Sequence, residues 1–497
     1  MKYILSIDQG TTGSRALLYD KNGRIAASAY QEFPQYFPRP GWVEHDPREI
    51  WESVNSTVQS VLKRVPKGSI AAIGITNQRE TTVVWHKDTG SPLYNAIVWQ
   101  CRRTAGRCDQ LKKKRSNREF FRKRTGLPID AYFSATKIEW ILKKTKGALR
   151  KAKEGKLCFG TTDSWILWKL TGGKVHATDY TNASRTMLFN IDRLKWDEEI
   201  LKRFGIPKEI LPEVRKSSGL FGKTVKTGRL NSGVPICGIA GDQQAALFGQ
   251  ACFKPGTMKN TYGTGSFVLL NAGRQRPLSK HGLIVTLGCG ITGEPVYVLE
   301  GAIFVAGSAI QWLRDGLELL AAASESEKMA RSVKDNAGLY FVPALVGLGA
   351  PYWDQNARGS IFGITRGVTK DHLVRAALEA MCYQTKDVLE AMQKDSGLKI
   401  KDLKVDGGAV VNNFLCQFQA DILGINVIRP KVIETTSSGA AYLAGLAAGY
   451  WKDASAIKKH WKRERVFSPR VSRKRASDLY KEWLDAVRRT LSTYPLK

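Results

Sequence analysis

Near its start the chain reads Tyr3-Ile-Leu-Ser-Ile-Asp8-Gln9-Gly10-Thr11-Thr12-Gly13-Ser14-Arg15, and continues Ala-Leu-Leu-Tyr19-Asp20. An apolar run ends in a carboxylate, a tight turn of Gly and Thr follows, and a second apolar run leads away. A strand–turn–strand of this composition can present backbone N–H groups and hydroxyls to a phosphate, with Asp8 placed where a magnesium ion would sit. The next turn, Lys21-Asn22-Gly23-Arg24, carries the Asn-Gly of a two-residue hairpin. Gly-Thr-Thr alone fits an ordinary hairpin equally well, so the turn by itself leaves both readings open.

The same theme returns about half a chain later, in Met258-Lys-Asn-Thr-Tyr262-Gly263-Thr264-Gly265-Ser266-Phe267. A third glycine turn follows a strand at Val405-Asp406-Gly407-Gly408. Three polar clusters accompany these turns: Asn77-Gln78-Arg79-Glu80-Thr81-Thr82, Val98-Trp99-Gln100-Cys101-Arg102-Arg103, and Gly241-Asp242-Gln243-Gln244 at the opening of a helix. Each is compatible with capping or loop polarity, Asp242 with a helix N-cap. Together they are too many for capping alone, and strand exits of α/β sheets are where ligands bind. Other nucleotide motifs are excluded. Gly222-Lys223-Thr224 lacks the earlier Gly of a Walker loop, where Ser217 stands, and Gly347-x-Gly349 is followed by Tyr352 rather than Gly.

The elements that must position these residues alternate between strand and helix. Apolar runs at Tyr3–Ile7, Arg15–Tyr19 and Ile25–Tyr30 predict a three-strand meander. Asp46 and Pro47 open a helix running to about Leu62. Strands are expected at Ile70–Thr76, Thr81–Trp85 and Ala96–Gln100, then helices over 104–124, 136–144 and 163–170. In the second half come the hairpin at Met258, a long helix Asp371–Gln393, strand Leu403–Val405 and the segment Phe414–Leu423. Strand Asn426–Arg429, helix Ser437–Tyr450 and a terminal helix from about Ala476 complete the pattern. Two hairpins of the same type suggest two related α/β domains closing on a ligand.

A length of 497 residues accommodates two domains with full cores. No apolar stretch reaches the roughly 18 residues that span a bilayer, and the first residues do not read as a signal peptide. The eight cysteines (Cys101, Cys108, Cys158, Cys237, Cys252, Cys289, Cys382 and Cys416) are scattered, so reduced thiols and a cytoplasmic setting are expected. No zinc spacing occurs. The formal net charge is +32. Basic runs lie at Lys112–Arg118, Arg122–Arg124, Lys143–Lys146, Arg150–Lys153, Lys458–Arg463 and Arg470–Arg475. They would suit a nucleic acid or an anionic membrane surface. However, they are dispersed, with no helix-turn-helix, zinc finger or stacking-aromatic pattern beside them, so solvated helix faces are the reading preferred here.

From Asp8 to about Trp461 the pattern resembles the FGGY family of carbohydrate kinases, in particular its glycerol-phosphorylating members. The resemblance is carried by Arg39-Pro-Gly-Trp-Val-Glu-His-Asp46, Ile75-Thr-Asn-Gln-Arg-Glu-Thr-Thr82, Tyr94-Asn-Ala-Ile-Val-Trp-Gln-Cys-Arg-Arg103 and Ala240-Gly-Asp-Gln-Gln-Ala-Ala-Leu-Phe-Gly-Gln250. Tyr262–Phe267, Gly347-Leu-Gly-Ala-Pro-Tyr-Trp-Asp354 and Val405-Asp-Gly-Gly-Ala409 extend it. It implies two actin/hexokinase-like (ribonuclease H-like) α/β domains with an interdomain cleft, residues 1–248 holding the acceptor pocket and phosphate hairpin and 249–497 the adenine nucleotide. It implies ATP-dependent phosphorylation of glycerol to sn-glycerol 3-phosphate, in glycerol catabolism, with domain closure excluding water.

Carried over residue by residue, the resemblance places glycerol against Arg79, Glu80, Trp99, Tyr132, Asp242, Gln243 and Phe267, with Asp242 as general base. Three hydroxyls call for charged and amide groups that donate and accept, and the carbon edge for apolar cover from Trp99 and Phe267. Thr11, Thr12, Gly13 and Arg15 approach the transferring phosphate. Thr264, Gly307, Gln311, Gly408 and Asn412 hold the nucleotide, and Asp8 holds Mg2+ through water. A homo-oligomer, dimer or tetramer, is expected. Lys223–Gly233 lacks the Gly-rich loop of relatives controlled by fructose 1,6-bisphosphate, and residues 205–240 contain no His for regulatory phosphorylation, so neither control is expected. The alternatives are an FGGY kinase of another polyol or ketose, a non-enzymatic ATPase on the same superfold, and a basic nucleic-acid or membrane-surface protein.

Overall fold

Tyr3–Gln9, Ile70–Asn77 and Pro235–Gly241 are nearly continuous apolar runs, the pattern of strands covered on both faces. In the computed structural model, which describes residues 1–493, they pair in parallel as neighbours. The sheet of the first compact unit runs in the order Ser218–Lys223, Pro235–Gly241, Ile70–Asn77, Tyr3–Gln9, Gly13–Tyr19, Ile25–Glu32. The last three strands form the antiparallel meander expected from the sequence. Helix Pro47–Leu62 starts under Asp46, whose side chain accepts from Arg48 N–H. With helix Thr162–Leu170 it contributes Val54, Val58, Ile166 and Leu170 to a core shared with Leu5, Ile7, Ile73, Ile75 and Ile239.

Helix Thr435–Ala447 belongs to this unit although it lies late in the chain. Its small residues let it approach closely. Ser6 Oγ donates to Ser437 O at 2.7 Å, and a Cβ on Gly439 would stand 1.9 Å from Ala245 O in helix Asp242–Gly249. Such close packing explains the division of the chain by contacts. One unit comprises 1–251, 285–297 and 435–460, and the other 252–284, 298–434 and 461–493 of the described residues. The expected division was a single boundary between 248 and 249, whereas the chain returns twice to the first unit.

The sheet of the second unit includes, in order, Pro295–Ile303, Ser266–Gly273, Met258–Tyr262, Asp402–Asp406, Asn426–Pro430 and Arg463–Phe467. Met258–Tyr262, Asp402–Asp406 and Asn426–Pro430 are parallel neighbours, and Met258–Tyr262 also turns back on Ser266–Gly273. The hairpin-plus-parallel-strand motif of the first unit is thus repeated. Helix Lys370–Ser396 is the long helix expected from the sequence, and Arg473–Thr490 the terminal one.

Two expectations fail locally. The helix over 104–124 is broken into Ala105–Lys112 and Arg115–Thr125. Lys114 is extended, and the side chains of Asn117 and Arg118 donate to Leu111 O (3.0 Å) and Lys112 O (2.8 Å), capping the first helix. The strand over Ala96–Gln100 pairs only through Ala96–Ile97, because Val98 N–H turns to Val43 O. All eight cysteines are buried thiols outside any disulfide. Among the described residues no helix is long and apolar enough to cross a membrane. Replacing Gly439 by Ala is expected to destabilise the first unit by about 1–3 kcal/mol through overpacking against Ala245, read as a lower urea midpoint.

Candidate functional site

Parallel register brings three strand ends side by side: Gln9 opposite Asn77, and Asn77 opposite Gly241. From these ends emerge the Gly10 turn, the segment Gln78-Arg79-Glu80 and the helix that begins at Asp242. The turn closes when Gly10 N–H donates to Gly13 O at 2.9 Å. Asp8 faces Arg15 across the antiparallel pair, and the Arg15 guanidinium lies over the Tyr30 ring at 5.4 Å. Thr12 is exposed and Thr11 half-buried at the tip. Among the described residues no group of three or more His, Cys, Asp or Glu could hold a metal by itself. A lone carboxylate beside a phosphate turn nevertheless fits a magnesium ion that arrives on a nucleotide and keeps its waters.

Asp242 is not the N-cap. Gly241 occupies that position, and Asp242 is the first helical residue. Its Oδ1 lies 3.0 Å from Arg79 Nε, and its carboxylate is the exposed member of the pair while the Arg79 side chain is buried. Arg79 Nη1 also donates to Gln244 Oε1 at 3.3 Å. One residue back, Gly241 N–H donates to Thr181 Oγ1 at 2.8 Å. Gln243 is buried beside it.

Glu80 adopts a left-handed backbone, φ 62°, and its carbonyl accepts from Ser134 Oγ and Thr82 Oγ1, both at 3.0 Å. Its buried carboxylate meets Arg185 Nε at 2.5 Å. The Arg185 guanidinium also lies over the Tyr132 ring at 5.5 Å. Tyr132 meets Trp99 edge to face at 5.6 Å, and Trp99 Nε1 donates to Thr11 Oγ1 at 3.0 Å. Below, Lys137 Nζ donates to Tyr132 O at 2.8 Å, and burial pushes its ammonium down to about 8. Asp8, Thr11, Arg79, Glu80, Trp99, Tyr132, Asp242 and Gln243 therefore all belong to the strand-exit region of one unit or to side chains leading from it.

The second unit carries Thr264, Phe267, Gly307, Gln311, Gly408 and Asn412. Its turn closes by Gly263 N–H donating to Gly265 O at 2.8 Å. Helix Gly307–Asp315 starts against that turn, with Gly307 N–H on Gly263 O (3.0 Å) and Ser308 N–H on Thr264 O (3.0 Å). A side chain at Gly307 would strike Gly263 O, 2.6 Å from the Cβ position. A helix N-terminus beside a glycine turn suits anionic oxygens. Gln311 is exposed on this helix and Thr264 exposed on the turn, while Phe267 is half-buried on Ser266–Gly273. Gly408 opens a short 3-10 turn. Asn412 uses its side-chain oxygen to cap helix Asn413–Leu423, accepting from Leu415 N–H at 2.9 Å.

Residues 3–249 match the model of the FGGY family of carbohydrate kinases, N-terminal domain, and residues 258–448 match its C-terminal domain. The chain belongs to the FGGY family of carbohydrate kinases. It is 58% identical to "Glycerol kinase 2" of Thermotoga maritima over 99% of both chains, and 56% identical to the glycerol kinase of Bacillus subtilis over 99% of each. Among solved structures it resembles Plasmodium falciparum glycerol kinase with ADP (TM-score 0.91, 37% identity, 99% and 98% of the two chains). It also resembles a ligand-bound xylulose kinase of Lactobacillus acidophilus (TM-score 0.89, 25% identity, 99% of each).

Two buried cations of this FGGY kinase, Arg185 and Lys137, had no signal in the sequence. Lys137 falls in the helix expected over 136–144 and Arg185 in no expected element, and only folding brings them against Tyr132 and Glu80. Arg185→Met is expected to cost about 3–5 kcal/mol by leaving the Glu80 charge buried without its guanidinium. Calorimetric melting checks this, with part of the loss recovered in Glu80→Gln/Arg185→Met.

Proposed function

We propose that this carbohydrate kinase transfers the γ-phosphoryl group of ATP to a terminal hydroxyl of glycerol, giving sn-glycerol 3-phosphate. The observation that carries the reading is the continuity of Thr11, Trp99, Tyr132, Glu80, Arg79 and Asp242. This small wall mixes fixed charges with aromatic faces and leads directly to a phosphate-type turn. Full-length similarity to curated glycerol kinases supports glycerol as the acceptor, and similarity to an ADP-bound relative supports an adenine nucleotide as the donor.

Asp242 then acts as the general base. Its carboxylate is fixed by Arg79 and by the start of its helix, and it accepts the proton of the attacking hydroxyl. Arg79 and Glu80 hold the other hydroxyls, one donating and one accepting, and Trp99 with Tyr132 covers the carbon edge. Gln243 adds an amide beside Asp242. Thr11, Thr12, Gly13 and Arg15 meet the transferring phosphate, while Thr264, Gly307, Gln311, Gly408 and Asn412 take the nucleotide. Asp8 would hold magnesium, which supplies charge neutralisation at the phosphates.

Asp242→Asn is expected to lower kcat by about 10²–10⁴-fold with the fold intact. Near-normal turnover in a folded variant removes Asp242 from the role of base. Coupled measurement of ADP release with and without glycerol, and across a panel of pentuloses and polyols, tests the acceptor. Preference for a ketose would replace glycerol in this reading.

A further inference from the structure

Gln78 has no role in the reaction as described, yet both ends of its side-chain amide are held by hydrogen bonds. It is buried, at 2% relative exposure. Its backbone N–H donates to Gln9 O at 2.7 Å. Its amide nitrogen reaches Gly10 O at 3.2 Å and Gln9 Oε1 at 3.3 Å, while Gln9 Nε2 itself donates to Gly10 O at 2.6 Å. The same amide also approaches His45 Nδ1, at 3.4 Å. Its amide oxygen accepts from Thr81 Oγ1 at 2.9 Å, and Thr81 Oγ1 accepts the backbone N–H of Trp99 at 3.3 Å. The indole of Trp99 returns to the turn through Thr11 Oγ1 at 3.0 Å. The path from Gly10 through Gln78, Thr81 and Trp99 back to Thr11 is a closed ring.

We propose that Gln78 and Thr81 are positioning residues that join the acceptor wall to the phosphate turn through this ring, so that the aim of the Thr11 hydroxyl depends on how Trp99 is seated. The inference rests on glycerol being the acceptor packed against Trp99. A threonine hydroxyl has one proton and two acceptor lone pairs. With one lone pair taken by the indole N–H, the rotor is restricted and the proton is left to donate to an oxygen ligand in the turn. An acceptor packed on the indole and Tyr132 holds the indole in plane, and the indole holds Thr11. Water is too small to do the same. The ring therefore makes transfer answer to occupancy by a polyol and disfavours water as phosphoryl acceptor.

The test uses the full-length enzyme. kcat and KM for glycerol, glycerol-free ATP hydrolysis and the melting temperature are measured for wild type, Trp99→Phe, Thr11→Ala, the double variant, Thr81→Ala and Thr81→Ser. Trp99→Phe keeps an aromatic face against Tyr132 but removes the N–H together with the pyrrole half of the indole. Expected are a kcat at least tenfold lower with KM for glycerol within threefold, a larger share of ATP lost to water, and a double variant no slower than the slower single one. Thr81→Ala lowers kcat in the same sense and also lowers the melting temperature, since it leaves the Gln78 amide oxygen without its donor, whereas Thr81→Ser, which keeps the hydroxyl, recovers most of the kcat. A Trp99→Phe enzyme with kcat within twofold of wild type, or single losses that multiply in the double variant, overturns the coupling alone. No glycerol-dependent ADP release from wild type overturns the glycerol reading, and this inference with it.

Discussion

Three parallel strands ending at one level is the constraint on which the first unit depends. Once Gln9, Asn77 and Gly241 share a register, their last backbone groups and the residues that follow lie at one edge, and each buried polar group there needs a partner. The partners are the unit's recurring polar side chains. Gln78 serves the Gly10 turn, Thr181 serves Gly241, and Asn77 and Asn182 exchange amide hydrogen bonds at 3.0 Å in both directions. Deeper still, Asp163 accepts from Thr178 at 2.6 Å, and burial pushes its carboxyl up to about 7. The layer that satisfies the sheet's edge is the same layer that aims Arg79, Glu80 and Asp242.

Buried charge is used in the same way. Glu80 with Arg185, and Glu44 with Arg103, are ion pairs with almost no solvent access. Arg103 is enclosed by Trp42 and Trp140 at 3.9 and 4.8 Å, and its Nη2 lies 2.7 Å from Glu44. Such pairs add little net stability compared with apolar packing. Their effect here is geometric: a forked guanidinium fixes a carboxylate and neighbouring rings in one arrangement. His45, in the same segment as Glu44, is held by Gln35 at 2.6 Å, and burial pushes its ring down to about 3, so it is neutral in this network.

The main elements were legible because their signals are local. Asp46-Pro47 ahead of an amphipathic stretch is a local helix-start signal, and the two Gly/Thr hairpins announce themselves by composition. The break after Lys112 was not legible, since it depends on Asn117 and Arg118 folding back onto carbonyls. The helix start at Asp242 was legible, but its ion pair with Arg79 was not, because the two residues are far apart in the chain.

The sequence by itself determined the strand–turn motifs, the polar clusters at Asn77, Val98 and Gly241, and the family resemblance they carry, because each rests on residue types within a few positions of one another. Only the tertiary structure decided which of those residues meet. Trp99 reaches Thr11 across 88 positions, and Arg185 reaches Glu80 across 105. Helix Thr435–Ala447 joins a sheet that begins at Tyr3. Contacts at such separations follow from register and close packing of whole elements, and no local pattern of residues encodes them.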